Sequence, residues 1–133
     1  MYKEVVVPRA VYAELVRAAA PQPVRVWMES PPRWIEVWTP SRGFDADLNS
    51  LDPGEREAIL IAEELRSTQL LMDDWEGRRE AEKRGIKVAG TLAVLQEAAK
   101  LGLLDLRSAL TRLQQSSFFV SPDLLTRILN GLP

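Results

Sequence analysis

The chain has 133 residues, with 17 Lys and Arg against 19 Asp and Glu, a net charge of −2, and 46% hydrophobic residues. This is ordinary composition for one globular domain, and it argues against a disordered chain, a collagen-like chain or a generic basic nucleic-acid binder. There is no Cys and no His, which excludes disulfide scaffolds, thiol catalysis, Ser-His-Asp triads and metals held by Cys or His.

No apolar run approaches the roughly 18 residues of a membrane span. Met1-Tyr2-Lys3-Glu4 leads straight into Val5-Val6-Val7, without the pattern of a signal peptide. The expectation is a soluble cytoplasmic protein with no membrane partner.

Val5-Val6-Val7 reads as a short buried strand. Pro8 suits a helix start, and Arg9 to Ala19 reads as a helix with Val11, Leu15 and Ala18 on one face, ended by Pro21 and Pro23. Val24 to Met28 is ambiguous, one or two helical turns at most. Trp34 to Trp38 has the composition of an edge strand. Thr39 to Ser50 reads as a loop.

Asp52-Pro53-Gly54-Glu55 combines an N-cap, an N1 proline and an acidic N3 residue. It predicts a helix to about Arg66 with Ala58, Ile59, Ala62 and Leu65 as its apolar stripe. Gln69 to Met72 reads as a short strand ended by Asp73-Asp74, and Glu76 to Arg84 as a charged helix stopped by Gly85. Ile86 to Val88 is a further strand, followed by helices over Thr91 to Leu101 and Asp105 to Gln115. Phe118-Phe119-Val120 is read as a last strand before a helix that Ser121-Pro122 caps and that runs to about Asn130. Strands alternating with helices imply βα units, a parallel sheet and helices on both faces. Function in such folds sits at the carboxyl ends of the strands.

With His and Cys absent, acid–base and metal chemistry falls to carboxylates, Lys and Arg. Asp73 and Asp74 directly follow a strand, so they stand either as a polar turn that caps the next helix or as site residues. Glu55 either closes a capping box or points into the same cleft. Glu14 lies at the edge of its helix's apolar stripe, as a solvated residue near Arg9 and Arg17 or as a third member of the site. Three carboxylates in one cleft would form an all-oxygen site suited to Mg²⁺ or Mn²⁺.

The run from Val5 to Leu15, the motifs Gly54 to Ile59 and Leu70 to Arg79, and the segment Gly85 to Leu95 resemble successive parts of PIN-domain proteins. The likeness is greatest to a prokaryotic, VapC-like toxin branch, and it spans nearly the whole chain. The resemblance implies a three-layer α/β/α sandwich with a parallel sheet, in one domain over residues 1–133. It also implies a Mg²⁺- or Mn²⁺-dependent ribonuclease, in many relatives a toxin held inactive by a small antitoxin. By match, Glu14 takes the place of the family's helix glutamate and Glu55 that of its helix-start acid. Either Asp73 or Asp74 takes that of the late aspartate.

The family opens with a strand ending in an aspartate, in an Asp-Thr-Ser-like run. This chain begins at what would be the second strand, so the domain is expected to be N-terminally short. Two expectations follow: weak or absent nuclease activity, and self-association to a homodimer, since the strands at Val5–Val7 and Leu70–Met72 either pair directly or leave an apolar seam, and the Val11, Leu15 and Ala18 face is bared. The alternative function is a catalytically inactive PIN-like module acting through protein contacts.

Arg78, Arg79, Lys83, Arg84 and Lys87 form a basic cluster beside Asp73-Asp74, interrupted by Glu80 and Glu82. It is either a solvated helix face or a rim that contacts RNA phosphates. Trp75 is read as half-buried at a strand end, with base stacking as its functional alternative, and Trp27, Trp34 and Trp38 as core or interface residues.

Overall fold

The computed structural model describes residues 1–43, 45–66 and 69–131. Phe44, inside the expected Thr39–Ser50 loop, lies outside the described residues. The chain divides into two compact units, Met1–Thr91 and Leu92–Pro133.

In the first unit, strand β1 (Val5–Pro8) runs into helix α1 (Arg9–Leu15). The helix is shorter than its pattern suggests. Val16 closes it by donating to the Tyr12 carbonyl, and a separate turn, Ala20 N–H to Arg17 O, precedes Pro21. Helix α2 (Gln22–Glu29) uses Pro23 in its first turn, and strand β2 (Ile35–Trp38) follows. A 3₁₀ turn at Ala46–Leu48 sits within the expected loop and buries Leu48. Helix α3 (Pro53–Leu65), strand β3 (Leu70–Leu71), helix α4 (Trp75–Lys83) and strand β4 (Val88–Ala89) complete the unit. Gly85, at φ +76°, ends the α4 region in the left-handed conformation that glycine adopts without cost.

The α/β class with parallel strands holds, and the strands form two pairs. β1 pairs with β2 in the register Val5–Ile35 to Pro8–Trp38, and β3 pairs with β4 in the register Leu70–Val88 and Leu71–Ala89. Among the described residues no ladder joins β1 to β3, so of the two arrangements open to these strands, direct pairing is not the one seen. Instead Tyr2 Oη donates to Gln69 Oε1 at 3.0 Å just before the two strands. Helix α3 packs on both β1 and β3. Its buried Ile59, Leu60 and Ala62 meet Leu48, Leu70 and Met72 in the core.

The second unit carries helix α5 (Thr91–Lys100, with its first residue in the first unit), α6 (Leu106–Gln114) and α7 (Pro122–Asn130). Asp105 and Ser121 cap α6 and α7 as N-caps. Phe118-Phe119-Val120 is not a strand, and Phe119 is 82% exposed. Aromatic and β-branched residues favour strands only where a partner completes the ladder, and among the described residues none pairs with this segment.

Candidate functional site

The start of α3 is built by local rules. Glu55 Oε2 accepts the Asp52 N–H at 3.2 Å, the reciprocal arm of a capping box. Helix α1 crosses this turn closely because residue 54 is a buried glycine. A Cβ there would stand 2.9 Å from Val11 Cγ2 and 3.9 Å from Glu14 Oε1. The exposed Glu14 carboxylate therefore lies beside the first turn of α3. Glu57 Oε1 accepts the Ala10 N–H at 3.0 Å and fastens the start of α1 to the same helix. Sequence reading missed this contact. Its one signal was that Pro8 offers no side-chain cap, so the first N–H groups of α1 need an acceptor from elsewhere.

The two aspartates after β3 are both exposed and do different things. Asp74 is the N-cap of α4, with Oδ2 accepting the Gly77 N–H at 2.8 Å. Asp73 turns to the start of α5. Its Oδ1 accepts the Thr91 N–H at 2.8 Å and its Oδ2 accepts the Thr91 hydroxyl at 2.5 Å. Residue 90 must be glycine-sized for this. A Cβ there would meet Arg78 Nη1 at 2.6 Å and Asp73 Oδ1 at 2.9 Å. Thr91 was not singled out from sequence. The available signal was a helix opening on Gly-Thr, whose glycine has no side chain to cap it.

Burial pushes the Glu55 carboxyl above its ordinary value. The Asp52 N–H opposes this, and the negative charges of Asp74, Asp52 and Glu14 raise it further. Asp74, Asp52 and Glu14 thus all act electrostatically on Glu55. Among the described residues, no three acidic side chains stand close enough to hold an ion as they are placed. The donors are oxygens, which is the chemistry Mg²⁺ and Mn²⁺ prefer, and a cation would relieve the repulsion felt by Glu55.

The basic rim is divided. Arg84 leaves it. Its guanidinium is 13% exposed and is held by Glu63 at 2.8 Å, Asp45 at 3.0 Å and Glu80 at 3.1 Å. These carboxylates hold Arg84 firmly protonated, and Arg84 holds Asp45 below the usual carboxylate range. Arg84 is therefore engaged by carboxylates within the fold, which is neither the solvated face nor the phosphate rim that the sequence left open. Lys83 stays open to solvent, 3.8 Å from Glu80. Arg79 is exposed, and Arg78 is partly buried over Gly90. Trp75 is 65% exposed rather than half-buried, with the Arg79 guanidinium 4.6 Å from its ring centroid. Trp27 and Trp34 pack at 6.1 Å, each close to half exposed.

Parallel strands with carboxylates at the start of α3 and after β3 describe an α/β domain. A family model, DUF3368, described as PIN domain, matches residues 1–132, and the chain belongs to that family. No match was found among curated proteins or among solved structures. Among the described residues, no helix is long and apolar enough to cross a membrane.

Proposed function

We propose that this PIN domain is a metal-dependent ribonuclease of the toxin–antitoxin type, with Glu14, Glu55 and Asp74 as the residues that hold Mg²⁺ or Mn²⁺. The observation that carries this reading is geometric: the Glu14 carboxylate lies against Gly54 in the first turn of α3, the turn that also holds Glu55, and burial with the nearby charges of Asp74, Asp52 and Glu14 raises the Glu55 carboxyl. A perturbed carboxylate among other acids is a mark of function, and Asp74 follows the carboxyl end of β3. Asp74 is chosen over Asp73 because both oxygens of Asp73 are engaged by Thr91, whereas Asp74 gives only Oδ2 to its cap. The bound ion would supply an activated water and neutralise charge on the phosphodiester. Arg79 and Lys83 are the exposed cations suited to flanking phosphates. Arg78 and Asp73 then act as positioning residues around Gly90 and Thr91. A small antitoxin or a second copy of the chain is the proposed protein partner, with the half-exposed Trp27–Trp34 pair as a surface for it.

The second reading is a catalytically silent module. It is favoured by the side-chain placement, which leaves no ready three-carboxylate cage among the described residues.

Titration with Mn²⁺ and cleavage of a fluorogenic single-stranded RNA decide between them. The enzyme reading expects Mn²⁺-dependent cleavage. It also expects Asp74→Asn to weaken metal binding by more than the roughly 10- to 100-fold that loss of an outer-shell partner costs. RNA left intact at saturating Mn²⁺, with Asp74→Asn binding the ion as wild type does, establishes the silent module.

A further inference from the structure

The geometry points to a binding subsite for one unpaired nucleobase of single-stranded RNA on the Trp75 ring; this inference rests on the ribonuclease reading above. Trp75 is the first residue of α4, immediately after the candidate ligand Asp74. An indole that is 65% exposed is unusual, because a tryptophan ring carries one of the largest apolar surfaces of any side chain. Arg79, one helical turn on, covers one face at 4.6 Å. Even with Arg79 on one face, the residue as a whole stays 65% exposed. A largely exposed ring braced by a guanidinium is a platform for a flat, π-faced ligand.

The pocket beside the ring favours a base over a phosphate. It measures about 260 Å³, just under the roughly 300 Å³ at which pockets for drug-sized ligands begin. Besides Trp75 and Arg79 its wall includes Asp47, Glu76, Glu80 and Lys83. Glu80 is engaged by Arg84 and Lys83. Asp47 and Glu76 bring negative charge that repels a phosphate and accepts hydrogen bonds from the N–H edge of a base. The phosphates on either side of that base would instead meet Arg79 and Lys83 at the rim. A base-paired strand keeps its bases stacked and cannot present one to Trp75, so the subsite selects unpaired RNA.

The test measures binding of fluorescein-labelled 12-nucleotide RNA to the full chain in EDTA, where no cleavage intervenes, as a single strand and as a duplex. Base–aromatic stacking predicts that Trp75→Ala weakens single-strand binding by about 5- to 100-fold. Trp75→Phe should retain most of it, and the weaker duplex binding should not change. Because the ring is exposed, the melting temperature of Trp75→Ala should match wild type, which separates lost stacking from lost fold. Single-strand affinity unchanged in Trp75→Ala overturns the subsite while leaving the ribonuclease reading intact, provided that wild type cleaves RNA with Mn²⁺. Wild type that neither binds nor cleaves RNA overturns both. Equal losses for single strand and duplex also overturn the subsite, since they would assign Trp75 to backbone contact.

Discussion

Asp73 holds Thr91 with both oxygens of its carboxylate, accepting the backbone N–H and the side-chain hydroxyl across 18 positions of sequence. Asp74, its neighbour, makes a single capping bond within its own helix. Two adjacent aspartates are thus separated by their partners, and the difference can be measured.

Asn is as good an N-cap as Asp but carries no charge. Asp74→Asn is therefore expected to keep its melting temperature within a degree or two while losing Mn²⁺ affinity by calorimetry. Asp73→Asn offers one acceptor where two donors converge. It should lose about 1 kcal/mol, the usual worth of a cap, with Mn²⁺ affinity near wild type. The reverse pattern would make Asp73 the ligand.

Gly90→Ala places a methyl group 2.6 Å from Arg78 Nη1 and 2.9 Å from Asp73 Oδ1. Arg78 can swing away, but Asp73 can yield only by leaving Thr91. We expect destabilisation of about 1–3 kcal/mol, as for overpacking elsewhere. In a double-mutant cycle with Asp73→Ala the two losses should add to less than their sum, because both break the same contact. Full additivity in urea unfolding would refute the shared mechanism.

Glu55 has a raised carboxyl value, so its contribution to stability is present below the unfolded value, near 4.5, and is lost as pH rises through the higher folded value. Glu55→Gln removes the charge and keeps an acceptor for the Asp52 N–H. Its urea midpoint at pH 7.5 should equal or exceed that of wild type, and the advantage should vanish below about pH 4. The same variant should lose metal-dependent cleavage. A midpoint clearly below wild type at pH 7.5 would show that the carboxylate is structural.

Asp45 has the opposite sign. Arg84 holds its carboxyl low, so the stability it contributes is present above the unfolded value, near 3.8, and is lost as pH falls through the lower folded one. Arg84→Lys cannot serve three carboxylates from one point charge. It should lower the urea midpoint at pH 7 and flatten its decline between about pH 5 and 3, with RNA affinity unaffected because Arg84 does not face solvent. A variant with normal stability and reduced RNA affinity would return Arg84 to the basic rim.

The elements that sequence alone determined are those whose causes are close in sequence. Asp52-Pro53-Gly54-Glu55 contains its own cap, proline and reciprocal acid, and it starts α3 as read. Ser121-Pro122 does the same for α7, and Gly85 ends the α4 region with the positive φ that its position after a helix implies. The family motifs were legible for the same reason, as short runs in a fixed order. Tertiary structure decided what depends on distant partners. It assigned Asp73 to Thr91 and Arg84 to Asp45, Glu63 and Glu80. It split the strands into two pairs, exposed Trp75, and left Phe118-Phe119-Val120 without a ladder. A helix closes its hydrogen bonds within four residues and can be read locally. A strand, an ion pair or an exposed ring takes its state from whatever the fold brings beside it, which sequence order does not encode directly.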